Sequence, residues 1–218
     1  MHIFDKLWIK GAIKAPFILD KVVELDTMGT TTMPLTRIDD IYELAEPQHG
    51  YLTKAQAEAA GVPRNMLTKM TIRGTLERIS TGVYRLVNFP PFVHSQLLEA
   101  SLWPLHGIRG VVSHDSALSY YEISDVNPSK VHITVPTRHR IRRAIPSFLV
   151  VHHSDLPESD VRTMDGITIT TAYRAIVDAY HAKLRPALIR QAIDDGQRKG
   201  WLNSMEAAKL TTALLSKH

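Results

Sequence analysis

The chain contains no cysteine. This excludes disulfide scaffolds, thiolate zinc sites, cysteine nucleophiles and iron–sulfur clusters. It fits the reducing cytoplasm, where the chain is expected to reside. No stretch of about 18 apolar residues is present, so neither a membrane span nor a membrane partner is expected. The apolar residues near the start are interrupted by Asp5, Lys6, Lys10, Lys14, Asp20 and Lys21, which is not the pattern of a secretory signal. Also missing are the glycine loops that cradle phosphates, the HExxH zinc motif and the signatures of protein kinases.

What is present has the make-up of a folded protein. The 218 residues are 44% apolar and 22% charged, enough for one large domain or two small ones. The formal net charge is +4 and is unevenly spread. Residues 1–49 carry five basic and eight acidic groups, residues 50–89 six and two, and residues 90–218 fifteen and twelve. The segment 50–89 therefore holds a net charge equal to that of the whole chain, which is the footprint of a polyanionic partner. A second basic cluster, Arg138, His139, Arg140, Arg142 and Arg143, places four arginines within six residues.

Residues 1–33 read as an N-terminal extension or linker. Ile3, Phe4, Leu7 and Trp8 have helical spacing that Pro16 interrupts, and residues 29–32 are small and polar. From Leu35 onward, Ile38, Ile41, Tyr42, Leu44 and Ala45 recur at three and four residues, which predicts a helix ending near Pro47 and Gly50. Thr53 and Gln56 form a capping-box pair that opens a short alanine-rich helix ending at Gly61. Pro63 opens the next helix at its first turn. Its apolar face is Val62, Met66, Leu67 and Met70, its polar face Arg64, Asn65, Thr68 and Lys69, and Gly74 ends it. Alternating residues at 76–80 and 83–87 then flank Thr81-Gly82 as a hairpin. Helix, short helix, glycine turn, helix and hairpin is the order of a winged helix-turn-helix, so residues 34–89 are expected to form a DNA-binding domain.

After Pro90-Pro91 the composition shifts, and residues 90–218 are expected to form a second domain. Helices are predicted at 93–102, 114–122, 172–182, 185–198 and 204–217, and strands at 111–112, 131–135, 148–151 and 167–170. The expected class is α+β: an N-terminal winged helix-turn-helix plus a C-terminal domain of a small sheet with surrounding helices.

Several side chains are candidates for binding. Arg64 pairs bidentately with guanine, Asn65 with adenine, and Thr68 hydrogen-bonds to either kind of edge, while Lys69 supplies charge. Lys54, Arg73, Arg78 and Arg85 would hold the flanking phosphates. Arg138, Arg140, Arg142 and Arg143 form either a solvated hairpin tip or a bidentate binder of phosphate or of an acidic protein face. The run Ser113, His114, Asp115, Ser116 has the composition of a catalytic triad, but triad members converge from separate elements, so Asp115 and Ser116 are expected to cap or pack a helix. There are eleven histidines. His152 and His153 face opposite sides of a strand and His132 is placed to meet one of them, but no carboxylate has matching spacing. Structural histidines and no metal are therefore expected. No catalytic residue is assigned.

The segment 51–86, YLTKAQAEAAGVPRNMLTKMTIRGTLERISTGVYRL, resembles the N-terminal winged helix of AbiEi-family antitoxins. The similarity lies in the Gly61-Val62 turn, the helix end from Leu67 to Gly74, and Leu76-Glu77-Arg78 leading to Gly82-Val83-Tyr84-Arg85-Leu86. The later chain is similar at Ser113-His114-Asp115-Ser116-Ala117-Leu118, matching the family's S-x-x-S-A-L pattern, and at 131–136 and 169–178. The resemblance implies an antitoxin encoded beside a nucleotidyltransferase-like toxin. It implies repression of its own operon at inverted repeats in operator DNA, with the second domain carrying the antidote function. Members of this family differ in how the toxin is neutralised: without binding it, by binding it directly, or by covalent modification through an atypical Ser/Thr protein kinase activity. Only the last would need ATP and Mg; otherwise no cofactor is expected.

Overall fold

The first helix, α1 (Ile38–Ala45), buries Ile41 and Ala45 completely, one turn apart, and carries Asp39 and Asp40 in its first turn, where the helix dipole favours negative charge. A single 3-10 turn (Glu46–Gln48) follows, and His49 and Gly50, both at positive φ, swing the chain into β1 (Tyr51–Thr53). The computed structural model describes residues 38–104 and 107–215. The expected extension at 1–33 and the last residues of the expected C-terminal helix lie outside the described residues.

The capping box opens α2 (Lys54–Ala59) as expected. The Gln56 amide donates to Thr53 Oγ1 at 3.2 Å, and the Thr53 amide donates to Gln56 Oε1 at 2.8 Å. Gly61, at φ +81°, reverses the chain, and α3 (Arg64–Ile72) follows with Pro63 as its N-cap rather than its first helical residue. The hairpin of β2 (Leu76–Ser80) and β3 (Val83–Leu86) is joined by β1, which lies antiparallel to β3 with Tyr51 opposite Arg85. Ile41, Leu52, Leu67, Leu76 and Leu86 form the core between these helices and this sheet. The helix, helix and hairpin order expected for this segment is present. Only β1 was not separated in the sequence from the helix it precedes, because three residues are too few to show alternation.

The rest of the described chain runs α4 (Ser95–Leu102), β4 (Val111–Val112), α5 (His114–Tyr120), β5 (Val131–Val135), β6 (Leu149–His153), β7 (Val161–Met164), β8 (Ile167–Thr170), α6 (Ala172–His181), α7 (Pro186–Arg198) and α8 (Ser204–Leu210), followed by a π-helical turn (Thr211–Leu215). The strands form one mixed sheet in the order β6-β5-β4-β8-β7, so the protein is α+β as expected. Among the described residues no helix is long and apolar enough to cross a membrane.

Two local expectations need correction. β5 and β6 are parallel, with Thr134 opposite His152, so residues 136–148 are a crossover connection and not a hairpin tip. Asp115 and Ser116, expected to cap or pack a helix, do not cap α5, whose N-cap is Ser113, though Ser116 is buried and packs. Ser116 Oγ instead accepts from the His132 amide at 2.8 Å and donates to the Lys130 carbonyl at 3.4 Å, stitching α5 to β5.

A polar seam joins the two sheets. Gln48 is buried; its Nε2 donates to the carbonyls of Leu44 and Tyr51, both at 3.2 Å. Its Oε1 accepts from Gln56 Nε2 at 3.1 Å and from the Arg109 guanidinium, which also donates to the Gly166 carbonyl at 3.2 Å. Tyr51 donates its hydroxyl to Glu99 at 2.8 Å, and His49 stacks on Phe92 with ring centres 3.7 Å apart. Gly166, at φ +74°, has no room for a side chain, because a Cβ there would lie 2.8 Å from the Pro47 carbonyl oxygen. Around this seam, Tyr51 and Val83 of the first sheet belong to the same apolar core as Leu98, Trp103 and Ile133. Replacing Gln48 with alanine removes one of the two acceptors of the half-buried Arg109 guanidinium. Urea denaturation of Gln48→Ala should show a loss of about 2–3 kcal/mol, and an unchanged midpoint would mean that the seam contributes nothing to stability.

Candidate nucleic-acid interface and histidine cluster

Burial of Leu67 and Met70 turns the opposite side of α3 to solvent. Asn65, Thr68 and Lys69 are all exposed there. Arg64 is the first residue of the helix, but its side chain lies outside the described atoms. Ile72, 80% exposed on the same side, was not singled out in the sequence; a β-branched residue at a helix end carries no signal of exposure. Arg73 is the exposed C-cap of α3. Lys54, at the start of α2, pairs with Glu58 one turn on at 3.8 Å.

A groove of about 630 Å³ lies between α2, α3 and the hairpin, lined by Lys54, Glu58, Thr68, Arg78, Thr81 and Arg143. It brings three of the residues singled out in the first basic segment together with one from the second. Two of the candidate arginines behave differently. Arg85 Nη2 donates to the carbonyls of Phe89 at 2.9 Å and Pro90 at 3.3 Å, so its guanidinium fixes the protein's own backbone. Arg143 lies 4.1 Å above the Trp103 ring and donates Nη1 to the Thr81 carbonyl at 3.4 Å, while Nη2 is buried with no hydrogen-bond partner. It anchors the tip of the hairpin. Burial lowers its pKa, though a guanidinium stays charged near neutrality. Arg138, Arg140 and Arg142 are exposed on the crossover.

A second constellation is built by α5, β5 and β6. As expected from the alternation of a strand, His132 meets His152 and not His153: His132 Nδ1 lies 3.1 Å from His152 Nε2. His114 completes the group, its ring stacked on His152 at 3.7 Å and 14°. Sequence reasoning missed His114 because its position depends on a left-handed backbone (φ +52°) at the start of α5, a conformation uncommon for a non-glycine residue. Burial, together with the neighbouring imidazoles and Arg174, depresses His114 to about 3. Burial, with His132 and His153 beside it, depresses His152 to about 4. Burial also lowers His132, against the opposing charge of Asp115. Arg174 is itself held by Asp178 at 2.7 Å and Asp160 at 3.0 Å.

Residues 39–87 match the family described as "Transcriptional regulator, AbiEi antitoxin". Over these residues the helix–hairpin module is thus similar to the AbiEi antitoxin regulators, as its sequence had indicated. Comparison with curated proteins gives no match. Among solved structures, the RV2827C protein from Mycobacterium tuberculosis is similar at 14% identity, over 80% of this chain and 70% of that one, with a TM-score of 0.48.

The histidine cluster makes stability depend on pH. Unfolded imidazoles titrate near 6.5, whereas these stay neutral in the fold, so the unfolded chain binds more protons once the pH drops below about 6.5. Their contribution is complete above that value and is lost as pH falls toward the folded values of about 4 and 3. Burial raises Asp115 and Asp178, which act in the opposite sense at lower pH, so the comparison is made against a variant. Urea midpoints at pH 7, 6 and 5 should fall, and His152→Asn should flatten the fall. Equal slopes in both proteins would contradict it.

Proposed function

We propose that this protein is an antitoxin that represses its own operon through residues 34–89 and neutralises a nucleotidyltransferase-like toxin through residues 90–218. The observation that carries this reading is the basic groove of α2, α3 and the hairpin, whose lining apart from Arg143 comes from the segment that matches the antitoxin regulator family. A nine-residue helix is about 13 Å long, enough to present three or four side chains to a major groove. Asn65 and Thr68 hydrogen-bond to base edges, Arg64 reads guanine, and Ile72 offers an apolar surface for a thymine methyl. Lys54, Lys69, Arg73 and Arg78 neutralise phosphates on either side, and Arg138, Arg140 and Arg142 extend the basic surface beyond the hairpin. Arg85 and Arg143 serve by holding the hairpin in place. Two copies on an inverted repeat place one helix in each half-site. The site of action is the cytoplasm, where the operator and the toxin are found together.

Gel shifts on the DNA upstream of the coding region test this. Asn65→Ala should cost about 1–3 kcal/mol and relax the preference for one sequence, whereas Lys69→Ala should weaken all sequences alike. Unchanged affinity in the double variant would remove α3 from the interface.

A further inference from the structure

We propose that His114, His132 and His152 form a binding site for one divalent transition-metal ion of the zinc, cobalt and nickel class. The three residues come from three elements, α5, β5 and β6, the last two being adjacent parallel strands. Each offers one ring nitrogen, and these atoms all lie within 4.8 Å of one another. Around a tetrahedral ion with metal–nitrogen bonds of 2.0–2.1 Å, ligand atoms sit about 3.3 Å apart. His132 Nδ1 and His152 Nε2, at 3.1 Å, already have that spacing. His114 has to leave its stack on His152 by a side-chain rotation, because two stacked rings aim their in-plane lone pairs side by side and not at one point.

The surroundings fit this role. Ser113 Oγ lies 2.9 Å from His114 Nδ1 and itself accepts from Thr134 Oγ1 at 2.8 Å. This engages Nδ1 in the stacked ring, and a rotation that keeps the contact presents His114 Nε2 as the ligand with Ser113 as its outer partner. Imidazole donors suit zinc, cobalt, nickel and copper and not magnesium or calcium, which take oxygen ligands. Three protein ligands leave a fourth position for water or an exogenous ligand. The backbone of His114 is held in a sparsely populated conformation, which is the kind of local strain that collects where a side chain must be aimed.

The test uses the full chain, stripped with a chelator and titrated with Co²⁺ and then Zn²⁺. One equivalent of Co²⁺ should bind, give visible d–d bands and be displaced by Zn²⁺. The Co²⁺ form of the unmutated protein should show three paramagnetically shifted imidazole N–H resonances, a count that needs no variant to fold. His132→Asn and His152→Asn should each weaken binding about tenfold or more, and His153→Asn, the next residue along β6, should leave it unchanged. Fewer than three shifted imidazole resonances, absence of stoichiometric binding, or an equal loss in His153→Asn would overturn the assignment. None of these readouts depends on DNA or toxin.

Discussion

The acceptor that Gln48 offers to Arg109 is the contact on which the arrangement of the protein depends. A guanidinium withdrawn from water needs its donors met, and the Gln48 side chain and the Gly166 carbonyl meet them from opposite sides of the seam. Gln48 is fixed in turn by Gln56, which belongs to the capping box of α2. One buried amide thus connects the end of α1, the start of α2 and the turn before β8. Gly166 makes the approach possible, since any other residue would collide with the Pro47 carbonyl. Tyr51 and Val83 then carry the apolar core across, so the hairpin is backed by the same packing that supports the second sheet.

This arrangement determines which cations face outward. Arg85 and Arg143 are spent on carbonyls of the chain itself, Arg85 at the exit of β3 and Arg143 at the hairpin tip. Lys54, Thr68 and Arg78 are left around the groove between α2, α3 and the hairpin. The chemistry around the second sheet is different: burial keeps the clustered imidazoles of α5, β5 and β6 neutral, and Arg174 of α6 is paired with two aspartates. The positive surface belongs to the first sheet and the crossover, and the nitrogen-donor cluster to the second.

What could be read from the sequence was what is local. The capping box of Thr53 and Gln56, the glycine stop at Gly61 and the two faces of α3 follow from spacing alone, and each is present. β7 was missed because it is an edge strand whose Arg162 and Thr163 are both exposed, so it lacks the apolar alternation of its neighbours. The parallel pairing of β5 and β6 was missed because register between strands separated by a crossover leaves no local signature. The inward roles of Arg85 and Arg143 depend on carbonyls brought near by the fold, and His114 joins the cluster only through a left-handed turn. A basic residue shows its charge in the sequence but not which partner will claim it.

The proposed function rests on DNA binding by the outward cations of the helix–hairpin module, acting as neutralisers of a polyanion. Its most direct test is the salt dependence of binding, measured for the full chain on DNA from upstream of its gene between 50 and 200 mM salt. Four phosphate contacts per bound copy, from Lys54, Lys69, Arg73 and Arg78, predict a slope of log K against log salt of about −3.6 for each copy bound. A slope near zero would contradict the account.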